Sequence, residues 1–384
     1  MRTEVEEAQE LTKILVSYAS MTGTDQVTAC AEFIRGWFEK NQISAEIVFY
    51  DGVANVVAKV GKKGGKRILL DGHFDVVPPG DMQEWNSNPF EGKIQQGYIY
   101  GRGVGDMKSG IAAAMLAMRE LKRQESDLQG EAVFYGVGDE ETGSVKGTLS
   151  LLESYDKKFD GAIVPEPTDF CIERAQRGLR WIEVYVKGKA CHAGRPHVGK
   201  NAIEQTSKMI RALKEISYDV YEDLFEEGLK TPSLSVNRIQ GGIKNNIVAE
   251  ECTFLIDRRL LPGETVDEVW KQIDTAIQKV LDEGFQYKMK MVNNGWDPFV
   301  TSEEDPVVSK LEYYYEQITG KKPVVRGKGG CTDASHIHNA GIPVVILGPG
   351  SANESHTANE KCEITKIAQT AEILAETAKS FLND

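Results

Sequence analysis

Five segments of this chain each deliver one or two residues able to hold a metal ion. Arg67–Leu70 runs into Asp71-Gly72-His73-Phe74-Asp75, and Ala132–Val137 runs into Asp139-Glu140-Glu141-Thr142-Gly143. Gly161–Val164 leads to Pro165-Glu166-Pro167. Ile342–Leu347 leads to Gly348-Pro349-Gly350, with His356 six residues further on. A glycine-rich stretch, Gly101-Arg102-Gly103-Val104-Gly105, sets Asp106 ahead of a long helical segment. In open α/β sheets ligands gather at the carboxyl ends of strands, which is where most of these residues fall.

Each residue has an ordinary reading beside the chemical one. His73 and Asp75 share one side of extended backbone, so Asp75 can take the second ring nitrogen of a metal-bound His73 and fix its tautomer. A turn with a capping aspartate has the same sequence. The three glycines allow sharp turns and would suit a phosphate loop, although the Walker spacing is absent. Asp106 fits a helix N-cap as well as a ligand. Of the adjacent Glu140 and Glu141, one can bind metal while the other stands over a water as general base; a solvated acidic turn is the plainer alternative. Two prolines hold Glu166 in a rigid, extended setting. As a set, His73, Asp106, Glu141, Glu166 and His356 suit Zn²⁺, Co²⁺ or Mn²⁺ better than copper or an iron–sulfur cluster. One carboxylate bridging two metals ~3.5–4 Å apart, each completed by a histidine and an acid, would make a two-metal hydrolase.

The elements that must position these residues follow from periodicity. Helices are expected over Glu4–Ser20, Gln26–Asn41, Met107–Arg123 and Lys146–Ser154, and strands over Ala45–Tyr50, Val53–Val60, Arg67–Asp71, Ala132–Val137 and Gly161–Val164. Strands alternating with helices predict an α/β domain with a central, mostly parallel sheet flanked by helices. After about Ala175 the pattern changes to strand, helix, two strands, helix, strand, the order of a small α+β sandwich. From Pro306 the α/β style returns and ends in a helix over Ile364–Phe381. The expected organisation is a discontinuous catalytic domain, 1–175 and 294–384, interrupted by an inserted domain, 176–293. At 384 residues the chain exceeds the usual size of one hydrophobic core, in keeping with two domains.

The net charge of −13 and the lack of a basic stripe argue against nucleic acid as a partner. No apolar run approaches the ~20 residues that span a bilayer. The N-terminus lacks a basic-then-apolar secretion pattern, so cytoplasmic residence is the expectation. The six cysteines are scattered without a CxxC pair and read as reduced, mostly packed thiols.

With DGHFDVVP, GRGVGDMKSG, GDEETGS, VPEPT, HAGRPHVGKNAI and a GPG…SHTANE ending in this order, the whole chain resembles the di-zinc peptidase and deacylase family. That family includes acetylornithine deacetylase, succinyl-diaminopimelate desuccinylase, aminoacylase and glutamate carboxypeptidase. The resemblance implies two zinc ions, with cobalt or manganese as substitutes. His73 and His356 would each hold one, and Asp106, followed by a cis peptide to Met107, would bridge them. Glu141 and Glu166 would complete the set. Glu140 would be the general base for a metal-activated water, and Asp75 the carboxylate partner of His73. The inserted domain would be a lid and dimerisation domain whose His192 reaches the partner subunit's active site in a homodimer. Arg177, Asn246 and Arg259 would grip a substrate carboxylate, with Arg180 and Arg258 as neighbouring candidates.

Two positions depart from the family pattern. Relatives often carry Thr or Ser where Cys331 stands and Arg where Ser335 stands, beside the substrate side chain. The implied activity is hydrolysis of the amide bond of an N-acyl amino acid, because Glu at position 166 accompanies deacylases and carboxypeptidases, and Asp accompanies aminopeptidases and dipeptidases. The alternative is a carboxypeptidase acting on short peptides with a free carboxylate. A non-catalytic binding protein, a nucleotide-binding loop and a single-metal site are the rival classes.

Overall fold

The computed structural model describes residues 3–156, 158–218, 229–292 and 295–384. The chain divides into two compact units. One comprises Met1–Ala175, Val300–Lys328 and Thr332–Asp384; the other comprises Gln176–Phe299 and Gly329–Cys331. The sequence boundary expected at 293–294 lies outside the described residues.

The larger unit is built on a nine-stranded sheet. Its strand order is Ser44–Tyr50, Val53–Gly61, Glu131–Val137, Arg67–His73, Gly161–Val164, Val344–Ile346, Ile172–Gln176 and Phe299–Val300, with Val325–Lys328 also pairing to Ile172–Gln176. The four central strands run parallel, and antiparallel pairs flank them on both sides. Glu131–Val137 is buried along its whole length, as a strand with both faces covered must be. The helix Ser109–Arg123 is buried from Ser109 to Met118. It packs against the closing helix Ile364–Leu382 and the strand Glu131–Val137, which explains its Ala- and Met-rich sequence.

Parallel neighbours end on the same edge of a sheet. The register pairs His73 with Val137 and Leu70 with Ile163, and Val345 with Ile163. The chain segments carrying His73, Glu140, Glu166 and the loop to His356 therefore leave from one edge. Two glycines let other elements approach Glu166 closely. A Cβ on Gly110 would lie 2.0 Å from the Pro165 carbonyl oxygen, and one on Gly348 would lie 2.3 Å from the carbonyl oxygens of both Pro165 and Glu166.

The smaller unit has a four-stranded antiparallel sheet, Ser233–Gly241, Glu251–Leu260, Gly178–Lys187 and Gln286–Met291, with helices Ala202–Lys214 and Val266–Gln278. Alternate residues Ile182, Val184, Val186 and Cys252, Phe254, Ile256 form one core with Met209 and Ile273 from the helices. In this unit Arg258 is fully buried and meets Glu264, Nη2 to Oε1 at 2.5 Å. Glu264 also accepts the Leu261 N–H at 2.7 Å. Glu264 is partly exposed, but truncating it strands the fully buried Arg258 charge, at a cost of up to about 3–5 kcal/mol. Glu264→Ala is thus expected to lower unfolding stability by that amount in denaturant melts; a change below about 1 kcal/mol would show the pair to be dispensable.

The structure differs from the periodicity reading at helix ends, where helix Glu4–Ser17 stops three residues before Ser20 and helix Thr148–Ser154 starts two after Lys146, and in two further ways. Helix Ser109–Arg123 starts two residues later than Met107, because Asp106 and Met107 hold non-helical backbone angles. Short elements also went unread: the small sheet of Lys93–Gln95, Tyr98–Tyr100 and Lys361–Glu363, the strands at Ile172, Phe299 and Val325, and the helix Ala334–Asn339. Segments of two to six residues carry too few repeats for a period to register. No helix among the described residues is long and apolar enough to cross a membrane, and none of the six cysteines forms a disulfide.

Candidate metal centre and active site

His73 ends its strand with the ring buried. Nε2 lies 3.1 Å from Asp106 Oδ1 and 3.5 Å from Glu166 Oε1. On the other side, Nδ1 lies 3.0 Å from the Asp75 backbone carbonyl and 3.5 Å from its carboxylate. The Asp75 carboxylate has further work. It accepts the N–H groups of Glu140 at 3.2 Å and Glu141 at 3.3 Å, and the Thr22 hydroxyl at 2.7 Å. Asp75 thereby fixes both the ring of His73 and the turn carrying the two glutamates. Opposite, His356 Nε2 lies 3.1 Å from Glu141 Oε2 and 3.5 Å from Asp106 Oδ2. Two ligand groups emerge, His73–Asp106–Glu166 and Asp106–Glu141–His356, each with candidate ligand atoms within 4.8 Å of one another. Asp106 belongs to both and presents a different oxygen to each histidine. Glu140 Oε2 stands 3.9 Å from His73 Nε2 and belongs to neither group. The Asp106–Met107 peptide is cis, as the resemblance implied.

The electrostatics fit bound cations. Burial pushes the Glu140 carboxyl well above the ordinary range, and Glu166, Asp333 and Glu141 push the same way against His73. Burial and the Asp106 charge raise Glu166, opposed by His73 and Lys328. Burial opposes ionisation of Asp106 too, but the hydrogen bond and charge of His73, with His356 and Lys328, hold it down at about 2. Crowded, desolvated carboxylates with imidazole between them are a donor set that divalent cations of borderline hardness satisfy.

The geometry removes one plainer reading and one rival chemical reading. Asp106 is not the helix N-cap, since the helix begins at Ser109 after Lys108. The glycine loop does not cradle a phosphate either. The amides of Gly103, Gly105 and Asp106 donate to the Glu360 carboxylate at 3.1, 2.6 and 3.0 Å, so an internal anion already fills the place.

Residues 69–380 match the model of peptidase family M20/M25/M40. The chain belongs to that family. Curated relatives span nearly its whole length. The N-formyl-4-amino-5-aminomethyl-2-methylpyrimidine deformylase of Halalkalibacterium halodurans is 28% identical, with 96% of this chain and 93% of the relative covered. The succinyl-diaminopimelate desuccinylase of Magnetococcus marinus is 29% identical, with 94% and 95% covered. Among solved structures, an M20 metallo-carboxypeptidase from Sulfolobus solfataricus shares the fold at TM-score 0.80 and 21% identity over 100% of both chains. A Bacillus subtilis protein described as a dinuclear metal-binding M20 peptidase shares it at TM-score 0.76 and 17% identity, with 99% and 98% covered. This M20 chain is a metal-dependent hydrolase.

The remaining site candidates of the M20 chain lie in its smaller unit. His192 and Asn246 are exposed neighbours: Ala193 N–H donates to the Asn246 carbonyl at 3.0 Å, and His192 bridges to Ile247. Arg177 donates to the Thr231 carbonyl at 2.9 Å. Arg259 is gripped by Asp257 at 2.8 and 3.2 Å and reaches Cys331 Sγ at 3.8 Å. Cys331 in turn donates to the Arg177 carbonyl at 3.3 Å, so the two arginines and the departing cysteine form one cluster. The rival arginines are taken up internally: Arg258 by Glu264, and Arg180 by Asp297 and the Trp296 carbonyl. Sequence reasoning passed over Arg102, Glu360 and Lys328. Lys328 is buried and donates to the Pro167 carbonyl at 2.8 Å, directly after Glu166. Arg102 and Glu360 stood inside quoted motifs, but nothing in their spacing announced that they meet.

Proposed function

We propose that this M20 hydrolase removes the acyl group from N-acyl amino acids bearing a free carboxylate, using two zinc ions held by His73, Asp106, Glu141, Glu166 and His356. The observation that carries the reading is the pair of ligand groups sharing Asp106, with Glu140 beside them but outside both. Bound there, such cations lower the pKa of a water and polarise a carbonyl. Glu140 accepts the proton of the attacking water and returns it to the leaving amine. Its backbone N–H donates to Asp75, which holds the turn that carries the carboxylate. His192 of the partner subunit donates to the carbonyl oxygen as negative charge develops, a contribution of about 3 kcal/mol for one well-placed donor. Arg177, Asn246 and Arg259 hold the substrate carboxylate, and the smaller unit serves as lid and dimer contact. Cytoplasmic residence belongs to the same reading.

Deacylation is favoured over carboxypeptidase action because the two full-length relatives named above are, by their names, a deformylase and a desuccinylase. The test is a hydrolysis panel on zinc-loaded protein: N-acetyl, N-formyl and N-succinyl amino acids, C-terminally free dipeptides, and all of these with the carboxylate amidated. Cleavage is expected for acylated amino acids and is expected to fall at least about 10-fold on amidation, the loss of one charge-assisted contact. Faster cleavage of dipeptides would make the enzyme a carboxypeptidase, and indifference to amidation would remove the arginine grip.

A further inference from the structure

Asp106 and His356 come from loops far apart in sequence, and one buried ion pair ties those loops together. Arg102 lies on the loop leading to Asp106, and Glu360 lies four residues past His356. They are 2% and 1% exposed, with Arg102 Nη1 2.8 Å from Glu360 Oε2. Each also reaches into the backbone of the other's loop. Arg102 donates to the Thr357 carbonyl at 3.2 Å and to the His356 carbonyl at 3.4 Å. Glu360 accepts the N–H groups of Gly103, Gly105 and Asp106, and its own carbonyl accepts that of Gly101 at 3.0 Å. His356 holds a left-handed backbone, φ +64°. A non-glycine residue keeps that conformation only where its surroundings over-determine it, and Arg102 bonds its carbonyl.

We propose that Arg102 and Glu360 form a reciprocal clasp that sets the spacing of Asp106 and His356 and so governs the affinity of one metal position. Both are positioning residues, touching neither metal nor substrate. The inference rests on the two-metal reading above. The clasp acts unequally on the two positions. His73 is fixed by the sheet and by Asp75, and Glu166 by its prolines, Gly110 and Gly348. His356, about half exposed, sits on a loop that the clasp ties down. Loss of the clasp therefore loosens the Asp106–Glu141–His356 position more, since it frees two of that position's ligands, Asp106 and His356, but only Asp106 at the His73–Asp106–Glu166 position.

The test is zinc uptake by the full chain, by equilibrium dialysis over a range of free zinc with metal analysis, on wild type, Arg102→Lys and Glu360→Gln. Arg102→Lys keeps the charge opposite Glu360 but lacks the fork that bonds two carbonyls at once, so one variant stays informative if the other fails to fold. Arg67→Lys is the control. It alters a comparable pair in the same unit, Arg67 with Glu131 at 2.8 Å and Asp156 at 2.9 Å, away from the ligands. The expected result is two zinc ions in wild type and in Arg67→Lys. In the clasp variants the second zinc should bind about 10–100-fold more weakly, the range found when an outer support of a metal ligand is removed, and the first should lose clearly less than the second. Two zinc ions at unchanged affinity in the clasp variants would overturn the clasp alone. Equal weakening in Arg67→Lys would reduce the clasp to general stability. A wild type that takes up one zinc would overturn the two-metal reading and the clasp with it.

Discussion

Replacing Asp106 with asparagine is expected to empty both metal positions and abolish turnover. Its two oxygens face different histidines, Oδ1 to His73 at 3.1 Å and Oδ2 to His356 at 3.5 Å. An amide has one carbonyl oxygen and an NH₂ that only donates, so the substitution would leave one position without its shared ligand and the other without its charge. The loss in metal affinity should exceed the about 10–100-fold typical of an outer support. His73→Ala and His356→Ala should each weaken one position, which makes the comparison of zinc stoichiometry across the three variants decisive. Retention of two zinc ions by Asp106→Asn would show that Asp106 does not bridge. Equal behaviour of all three would point to a single metal. Folding should survive the substitution, since the Asp106 backbone N–H and its bond to Glu360 remain.

Glu140→Gln is expected to lower kcat by about 10²–10⁴-fold, the usual contribution of a positioned general base. Zinc content and KM should change little. The side chain is the same size and lies outside both ligand groups. Its backbone N–H stays bonded to Asp75, so the turn and Glu141 are not disturbed. Burial and the neighbouring carboxylates raise the Glu140 pKa, and a base whose pKa moves up toward working pH is a stronger proton acceptor while still ionised. Near-normal turnover with both zinc ions bound would exclude Glu140 as the base. Loss of zinc in Glu140→Gln would make it a ligand instead. Glu140→Asp should fall between the two, because shortening the side chain withdraws the carboxylate without removing its chemistry.

The strength of the sequence reading lay where chemistry and local pattern coincide. Apolar runs such as Arg67–Leu70, Ala132–Val137 and Gly161–Val164 read as buried strands, and the acids and histidines behind them were visible as ligand candidates. Parallel pairing then brings their ends to one edge, so a one-dimensional list became a cluster without further information. The order of motifs carried the family membership for the same reason: local spacing records local geometry.

What lay beyond the sequence depends on contacts between distant residues. Asp75 could be paired with His73 two residues away, but not with the amides of Glu140 and Glu141, which it meets only through the register of adjacent strands. The missing Walker spacing already spoke against a phosphate at the glycine loop, but only the fold shows what holds its amides: Glu360, more than 250 residues later. Arg177, Arg259 and Cys331 form one cluster although the chain leaves the smaller unit and returns to it for three residues. The amino-acid sequence alone determined which residue types stand at strand ends, and with them the class of chemistry. Only the tertiary structure decided which of those residues face each other and what holds them, because side-chain partners separated by hundreds of residues leave no periodic trace in either segment.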